Sequence, residues 1–360
     1  MKKYLLLLML MSAAAVTYAA DTVSYRLSRL DNWAFYGTSK PIVELVAIND
    51  RGINRELDLG CSIFDNNGKK LYELSQKGIV PQKDSLKMSF SFMAMDPGFY
   101  NAIFTSGGRF VKAVNLSYEP EKIVLRNDVQ GEIPVVVRDF DPKFSIVKNK
   151  GMSGREKNVY ELKMVSADGC TVGAYVAFPK GKRNLKSIVS IVPQEKRSEN
   201  VMSDFTAPAN MIELILYVSD RGTGDEQFVN ALADVLLCID FLSGRKESDT
   251  GCIYVQGTGK AASVALMASA MDKRVAASFV YAPDFGNLIE NFPVASVVEK
   301  MTSPVLFGLG LQDTPQRLTE DFAIYNAIGG KKEYFIFPDS PTVDRNKWKY
   351  IRDTFIIRLR

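Results

Sequence analysis

Between about residue 21 and residue 120, short runs of β-branched and aromatic residues recur roughly every ten positions, and each is closed by a turn signal. The runs are 41–47, 57–64, 86–93, 100–105 and 110–116. The turns between them carry Asn49-Asp50-Arg51-Gly52, Asp65-Asn66-Asn67-Gly68, Asp96-Pro97-Gly98 and Ser106-Gly107-Gly108. Gly and Asn supply the left-handed backbone that tight hairpins need, so the spacing predicts a small all-β sandwich of immunoglobulin-like type over 20–120. Trp33, Phe35 and Tyr36 read either as sandwich core or as a patch for stacking sugars.

The rhythm then changes. Residues 121–157 are rich in Glu, Lys, Asp and Pro and read as a connector. From 158 onward a hairpin is expected, with strands 160–165 and 171–178 around Ser166-Ala167-Asp168-Gly169. Continuous apolar runs of strand length follow at 187–192, 212–218, 252–255, 276–281, 305–309 and 333–337. Such runs suit parallel strands buried on both faces. Helical patterns lie between several of them. Phe228, Leu232, Val235, Leu236, Ile239 and Leu242 share one helix face, and further helices are expected over 260–271 and 316–328. Alternating strands and helices predict an α/β domain over 158–360, a mostly parallel sheet with helices on both faces.

Composition sharpens this picture at three points. The chain of 360 residues has a formal net charge of only +4, with Lys and Arg scattered, so no nucleic-acid partner is expected. Lys2 and Lys3, the apolar stretch 5–16 and Thr17-Tyr18-Ala19 have the order of a secretory signal, expected as 1–19 and cleaved after Ala19. No cysteine sits just after that cut and no later segment is long and apolar enough to span a membrane. The expected location is therefore a bacterial periplasm or the cell exterior. Cys61, Cys170, Cys238 and Cys252 form no C-x-x-C pair, and the last three sit in apolar contexts that suit buried thiols. A Cys238–Cys252 bridge is the one pairing considered. Above all, there is no histidine. Histidine is the usual base of Ser and Cys hydrolases and a common metal ligand, so both chemistries lack their normal residue here. Neither a metal nor a cofactor is expected.

Candidate chemistry centres on residues 251–263, GCIYVQGTGKAAS. A short strand runs through a Gly-rich turn into an Ala-rich helix, as at a nucleophile elbow G-x-S-x-G. The pattern starts at Gly257, but Gly259 takes the serine position and Ala261 that of the last glycine. A phosphate cradle fits poorly: the first Walker glycine falls on Tyr254, and Ala261 follows Lys260. A weak anion site at the helix start stays open as an alternative.

The order of several such segments resembles the acetylxylan esterase / cephalosporin-C deacetylase family of α/β-hydrolases over about 160–357. Ser166-Ala167-Asp168-Gly169-Cys170 with Ala177-Phe178-Pro179-Lys180-Gly181 is similar to its entry hairpin. Asp220-Arg221-Gly222-Thr223-Gly224 looks like its D-x-R-G-x-G loop, one residue shorter. The helix pattern 231–242, the corner at Gly257, the strand from Met301 through Gly310-Leu311-Gln312-Asp313, and Tyr325-Asn326-Ala327-Ile328 follow in family order. The resemblance implies an α/β-hydrolase fold and an acetyl-ester hydrolase ancestry. It also places the departures on the chemistry. Gly259 stands for the triad serine, Asp313 for the retained acid, and no histidine occurs near Ser340-Pro341-Thr342. The strand that should lead into a His-Gly oxyanion loop ends Pro193-Gln194-Glu195-Lys196. The expectation is an exported, inactive family relative whose cleft is lined by Gln194, Thr258, Lys260 and Asp313. It would bind an acetylated carbohydrate, a small acetyl ester or a protein partner. Two alternatives stand beside it: an esterase using Thr258 or Ser263 with Lys260 as base, and a purely structural or interaction protein. Without a histidine to orient, Asp313 also reads as a cap for the helix starting near Pro315.

Overall fold

A computed structural model describes residues 23–28, 33–37, 40–125, 129, 141–218, 221–338, 340 and 344–359. The expected signal segment lies outside these residues, as do Asp220, Pro341 and Thr342. Contacts divide the chain into two compact units, Met1–Ala94 with Asn101–Val114, and Met95–Tyr100 with Asn115–Arg360.

The first unit is all-β. Its strands are β1 (Val23–Leu27), β2 (Ala34–Phe35), β3 (Ile42–Asn49), β4 (Arg55–Phe64), β5 (Lys70–Val80), β6 (Asp84–Ser91), β7 (Gly98–Ser106) and β8 (Arg109–Tyr118), the last two shared with the second unit. They form a three-stranded sheet in the order β1-β3-β6 and a five-stranded sheet in the order β2-β8-β7-β4-β5. On β4, Leu59, Cys61 and Ile63 alternate inward and are fully buried. Phe90 and Phe104 meet edge to face between the sheets, with centroids 5.8 Å apart. β5 has no counterpart in the sequence pattern. It is an edge strand whose KLYELSQKGIV residues are mostly exposed, so no buried face imposes alternation. Of the three aromatics near the start, Phe35 is buried, Trp33 is half-buried and Tyr36 is exposed.

The second unit holds the α/β part. In chain order its main elements are β9 (Ser145–Asn149), β10 (Lys157–Val165), β11 (Thr171–Pro179), β12 (Leu185–Pro193), β13 (Ile212–Val218), α1 (Asp225–Ser243), β14 (Ser248–Gly259), α2 (Lys260–Met271), β15 (Val275–Pro283), α3 (Leu288–Asn291), α4 (Val294–Val298), β16 (Val305–Gly310), α5 (Pro315–Ala327), β17 (Lys332–Phe337) and α6 (Arg345–Arg358). One nine-stranded sheet runs β17-β16-β15-β14-β12-β13-β11-β10-β9. The pairs from β13 through β17 are parallel, whereas β11 is antiparallel to both β10 and β13. Its edge strand β9 comes from the 121–157 stretch. The expected fold class is therefore found: a mostly parallel sheet covered by helices, preceded by an all-β region.

Parallel strands all finish at one edge of the sheet, so the turns after β12, β14, β15, β16 and β17 gather there. Two packings fix that edge. The Ala-rich α2 lies so close to β14 that a Cβ on Gly257 would stand 2.2 Å from the Ala261 carbonyl oxygen. On the face bearing Tyr254, Phe279 and Phe337, α6 packs Trp348, Phe355 and Ile356 into a common cluster.

The expectation of buried thiols holds for Cys238, while Cys252 is only half-buried and Cys170 is exposed. All four are free thiols, so there is no Cys238–Cys252 bridge. Cys61 and Cys238 are buried, but Cys170 is exposed, because it closes the β10–β11 turn, where its N–H donates to Asp168 Oδ1 (2.9 Å). Among the described residues no helix is long and apolar enough to cross a membrane.

Candidate functional site

The corner after β14 has the geometry of a strand-to-helix elbow. β14 extends through Gly259, and in register Ile191 pairs with Gly257 and Gly259 with Pro283, so the ends of β12, β14 and β15 are side by side. Gly259 adopts φ 63° and ψ −133°, a conformation that costs an ordinary L-residue on the order of 1–3 kcal/mol. Nothing lies within 4 Å of where its Cβ would be. A side chain at this position would therefore project from a strained backbone into open space, as an elbow nucleophile does, and Gly259 supplies none.

The flanking candidates divide. Thr258 and Lys260 are exposed, and neither Thr258 Oγ1 nor Lys260 Nζ has a hydrogen-bond or ion partner among the described residues. Ser263 is buried on α2, where its Oγ accepts from Asp284 N–H (3.1 Å), a group shared with the Gly259 carbonyl (3.2 Å). Ser263 is thus committed to holding the turn after β15.

Asp313 follows β16 and is held by three neighbours. Oδ1 accepts from Thr314 N–H (2.7 Å), and Oδ2 lies 3.3 Å from an Arg317 guanidinium nitrogen. The Asp313 carbonyl accepts from Asn115 Nδ2, which also donates to Leu311 O (2.7 Å). The cap of α5 is Thr314, whose Oγ1 accepts from Arg317 N–H (3.4 Å), so the capping role read for Asp313 belongs to its neighbour. Arg317 spans the gap to the corner. Its guanidinium donates to Pro283 O (2.6 and 3.0 Å) and Ala282 O (2.8 Å). Where a triad acid would orient an imidazole, this acid faces a permanently charged guanidinium that can neither accept nor relay a proton. Beside it, burial raises the Asp321 carboxyl, whose Oδ2 is 4.0 Å from Arg317 Nε.

At the end of β17, the Pro338 and Ser340 carbonyls accept from Gln312 Nε2 (2.8 Å) and Gln312 N–H (3.3 Å). At the end of β12, Pro193 has no N–H to give. Gln194, directly after β12, lines a groove over β10, β11 and β13 with Arg197 and Tyr217; Thr258, Lys260 and Asp313 are not among the residues lining it.

Two polar clusters escaped the sequence reading. Glu213 is fully buried in β13, where it accepts from Ser190 Oγ (2.7 Å) and Ala207 N–H (2.7 Å). Gln256 Nε2 donates to the same Ser190 Oγ (2.6 Å), and buried Arg352 of α6 donates to Gln256 Oε1 (2.8 Å). This chain fastens α6 beneath the corner strand. Its one visible signal is a Glu inside the run IELILYV, since buried charge demands partners. In the second cluster, Arg221 Nη1 donates to both Asp168 carboxylate oxygens (2.8 Å each) and Nη2 pairs with buried Asp234 (2.6 Å). Burial raises the Asp234 carboxyl, although Ser166 and Arg221 pull it down. The cluster ties the β10–β11 turn to α1, so the D-G hairpin and the R-G-x-G loop meet as structural partners.

The solved structures that the chain resembles carry the same fold. An acetyl xylan esterase from a Paenibacillus species superposes with a TM-score of 0.54 at 17% identity, over 61% of this chain and 89% of the other. Acetyl xylan esterase 1 from a Thermoanaerobacterium species gives 0.55 at 17% identity, over 62% and 90%. At that identity the likeness is one of fold, and the fold of the second unit is that of the α/β-hydrolases. No family model matches the chain, and neither does any curated protein.

Proposed function

We propose that this chain is an exported, non-hydrolytic protein on an α/β-hydrolase scaffold, one that binds an acetylated carbohydrate or small ester at the β14 corner without cleaving it. The observation behind this reading is Gly259, set at the elbow before open space in a chain that has no histidine. A triad enzyme stripped of its nucleophile loses about a millionfold in turnover. Here the base is also missing, and the acid is engaged by Arg317. Thr258 and Lys260 are the residues through which an esterase reading would have to act.

The test is hydrolysis of p-nitrophenyl acetate and acetylated xylan by the purified chain. The expected rate equals that of a heat-treated control, for the native chain and for Gly259→Ser alike. Turnover that disappears in Thr258→Ala or Lys260→Ala would replace this reading with an esterase of unusual nucleophile. Inert protein that also ignores acetylated oligosaccharides in a thermal-shift screen would instead support an interaction scaffold.

A further inference from the structure

The groove over β10, β11 and β13 lies apart from the corner and has a chemistry of its own. It is open, about 270 Å³ in volume, and its polar walls are Glu161, Lys163, Tyr175, Gln194, Arg197 and Tyr217. In strand register Lys163 sits opposite Gly173 and Glu161 opposite Tyr175, so these four share one patch of the sheet. Gly173 leaves the floor empty, because nothing lies within 4 Å of where its Cβ would be.

Arg197 is the organising residue. Its guanidinium lies over two rings, 4.9 Å from the Tyr217 centroid and 5.6 Å from that of Tyr175, and it donates to Tyr175 Oη at 3.2 Å. Stacking on two rings orders a side chain that would otherwise be a free surface arginine. The segment that carries it is pinned as well. Asp204 accepts from Ser198 N–H (3.1 Å) and Ser198 Oγ, and also from Tyr217 Oη (2.6 Å). Burial and the adjacent Asp204 carboxylate push the Tyr217 phenol upward, so it stays a proton donor. Arg197 nonetheless remains exposed, and Tyr175 Oη is the one hydrogen-bond partner its guanidinium has among the described residues. Its other N–H groups are left for a ligand.

The rest of the wall narrows the ligand class. Lys163 Nζ and the Gln194 amide are exposed and have no protein partner among the described residues. Glu161 has one oxygen held by Asn149 Nδ2 (2.8 Å), and the other is free to accept. Arg197 and Lys163 call for an anionic group, and a planar guanidinium suits a carboxylate. Glu161 repels a simple polyanion but accepts hydroxyl donors. A ligand that satisfies all of them carries a carboxylate and several hydroxyls on one small ring. The geometry points to a binding site for a uronic-acid-type sugar, with its carboxylate on Arg197 and Lys163 and its hydroxyls on Glu161 and Gln194. The volume falls just under the usual range for small-molecule sites, which fits one or two sugar rings.

The test is calorimetric titration of the whole chain with sodium glucuronate, glucose and inorganic phosphate. Glucuronate should saturate with a dissociation constant on the order of 1 mM, and glucose and phosphate should each bind at least about tenfold more weakly. Arg197→Ala should weaken glucuronate binding by about tenfold or more while the circular dichroism spectrum stays native. Glu161→Gln should shrink the preference for glucuronate over phosphate. The proposal is overturned by any of three results: no saturation up to about 50 mM glucuronate, equal affinity for glucose or phosphate, or unchanged binding in Arg197→Ala. Gly259→Ser should leave this binding untouched, so failure here and failure of the non-hydrolytic reading are separate results.

Discussion

The corner after β14 combines a rare backbone geometry with a residue, Gly259, that has no side chain. The groove over β10, β11 and β13 has ordinary strand geometry and a full set of charged and amide groups. The corner persists because its shape is held from behind. Gly257 has no room for a Cβ against Ala261, and the Gly259 carbonyl is fastened to the turn after β15. A glycine at φ 63° removes the strain that any other residue would add, so the elbow shape survives at little cost once nothing reactive is displayed. The groove depends on side chains and on a crossover, 194–211, that contains only short 3-10 turns before β13 and leaves that part of the sheet face open. A strained corner whose central residue has no side chain, and charged groups on an unstrained frame, are what separate them.

Substitutions can break this contrast in descending order of effect. Gly257→Ala should cost about 3 kcal/mol or more, since the new methyl would overlap helix backbone that cannot turn aside; urea unfolding reads this directly. Arg317→Met should cost about 2 kcal/mol, because the Ala282 and Pro283 carbonyls lose their donor and Asp313 its partner. A neutral result would mean that the acid is not held by this contact. Gly259→Ser should cost about 1–2 kcal/mol from backbone strain alone, with no clash and no gain in ester hydrolysis. A serine that did restore turnover would show the corner to be an intact site lacking one atom group.

The smallest effect concerns Asp321, where the sign follows from burial. Its folded-state carboxyl is raised above 3.8, with Arg317 pulling it down and Asp313, Glu320 and Asp284 pushing it up. The folded state therefore holds the proton more tightly than the unfolded one. That contribution to stability is complete below about pH 3.8 and is lost as pH rises through the raised value. At pH 7 the buried charge is a burden, so Asp321→Asn should melt higher than the native chain, with the gap closing on acidification. A lower melting temperature at pH 7 would mean that attraction to Arg317 outweighs burial.

Much of the architecture was legible along the chain. β13 and α2 occupy the spans that their apolar patterns predict, 212–218 and 260–271, because a fully buried strand and a helix of small residues leave unmistakable runs. α6 was not legible. Its RNKWKYIRDTFIIR places Trp348, Phe355 and Ile356 inward but sets a buried Arg352 among them, and the charges drown the period. Cys170 misled for a related reason. The apolar strand after it suggests burial, although Cys170 directly follows the Asp168-Gly169 turn that exposes it. At the site, Gly259 and Asp313 stood out by motif order. Arg317, Arg197 and Tyr217 belong to no motif, and they gain meaning only from what they touch.

The sequence by itself determined which chemistry is available. A chain without histidine lacks the imidazole base of a Ser-His-Asp triad in any fold it adopts, and a glycine at 259 carries no side chain to attack an ester. Only the tertiary structure decided where the remaining groups meet. It set Arg317 between Asp313 and the strand end beside Gly259, and it put Gln194 in one groove with Arg197 and Tyr217. Residue types are local facts written in order along the chain. Proximity comes from strand register and crossovers that join positions far apart in sequence, and it is proximity that sets whether a charge is paired, buried or left open to a ligand.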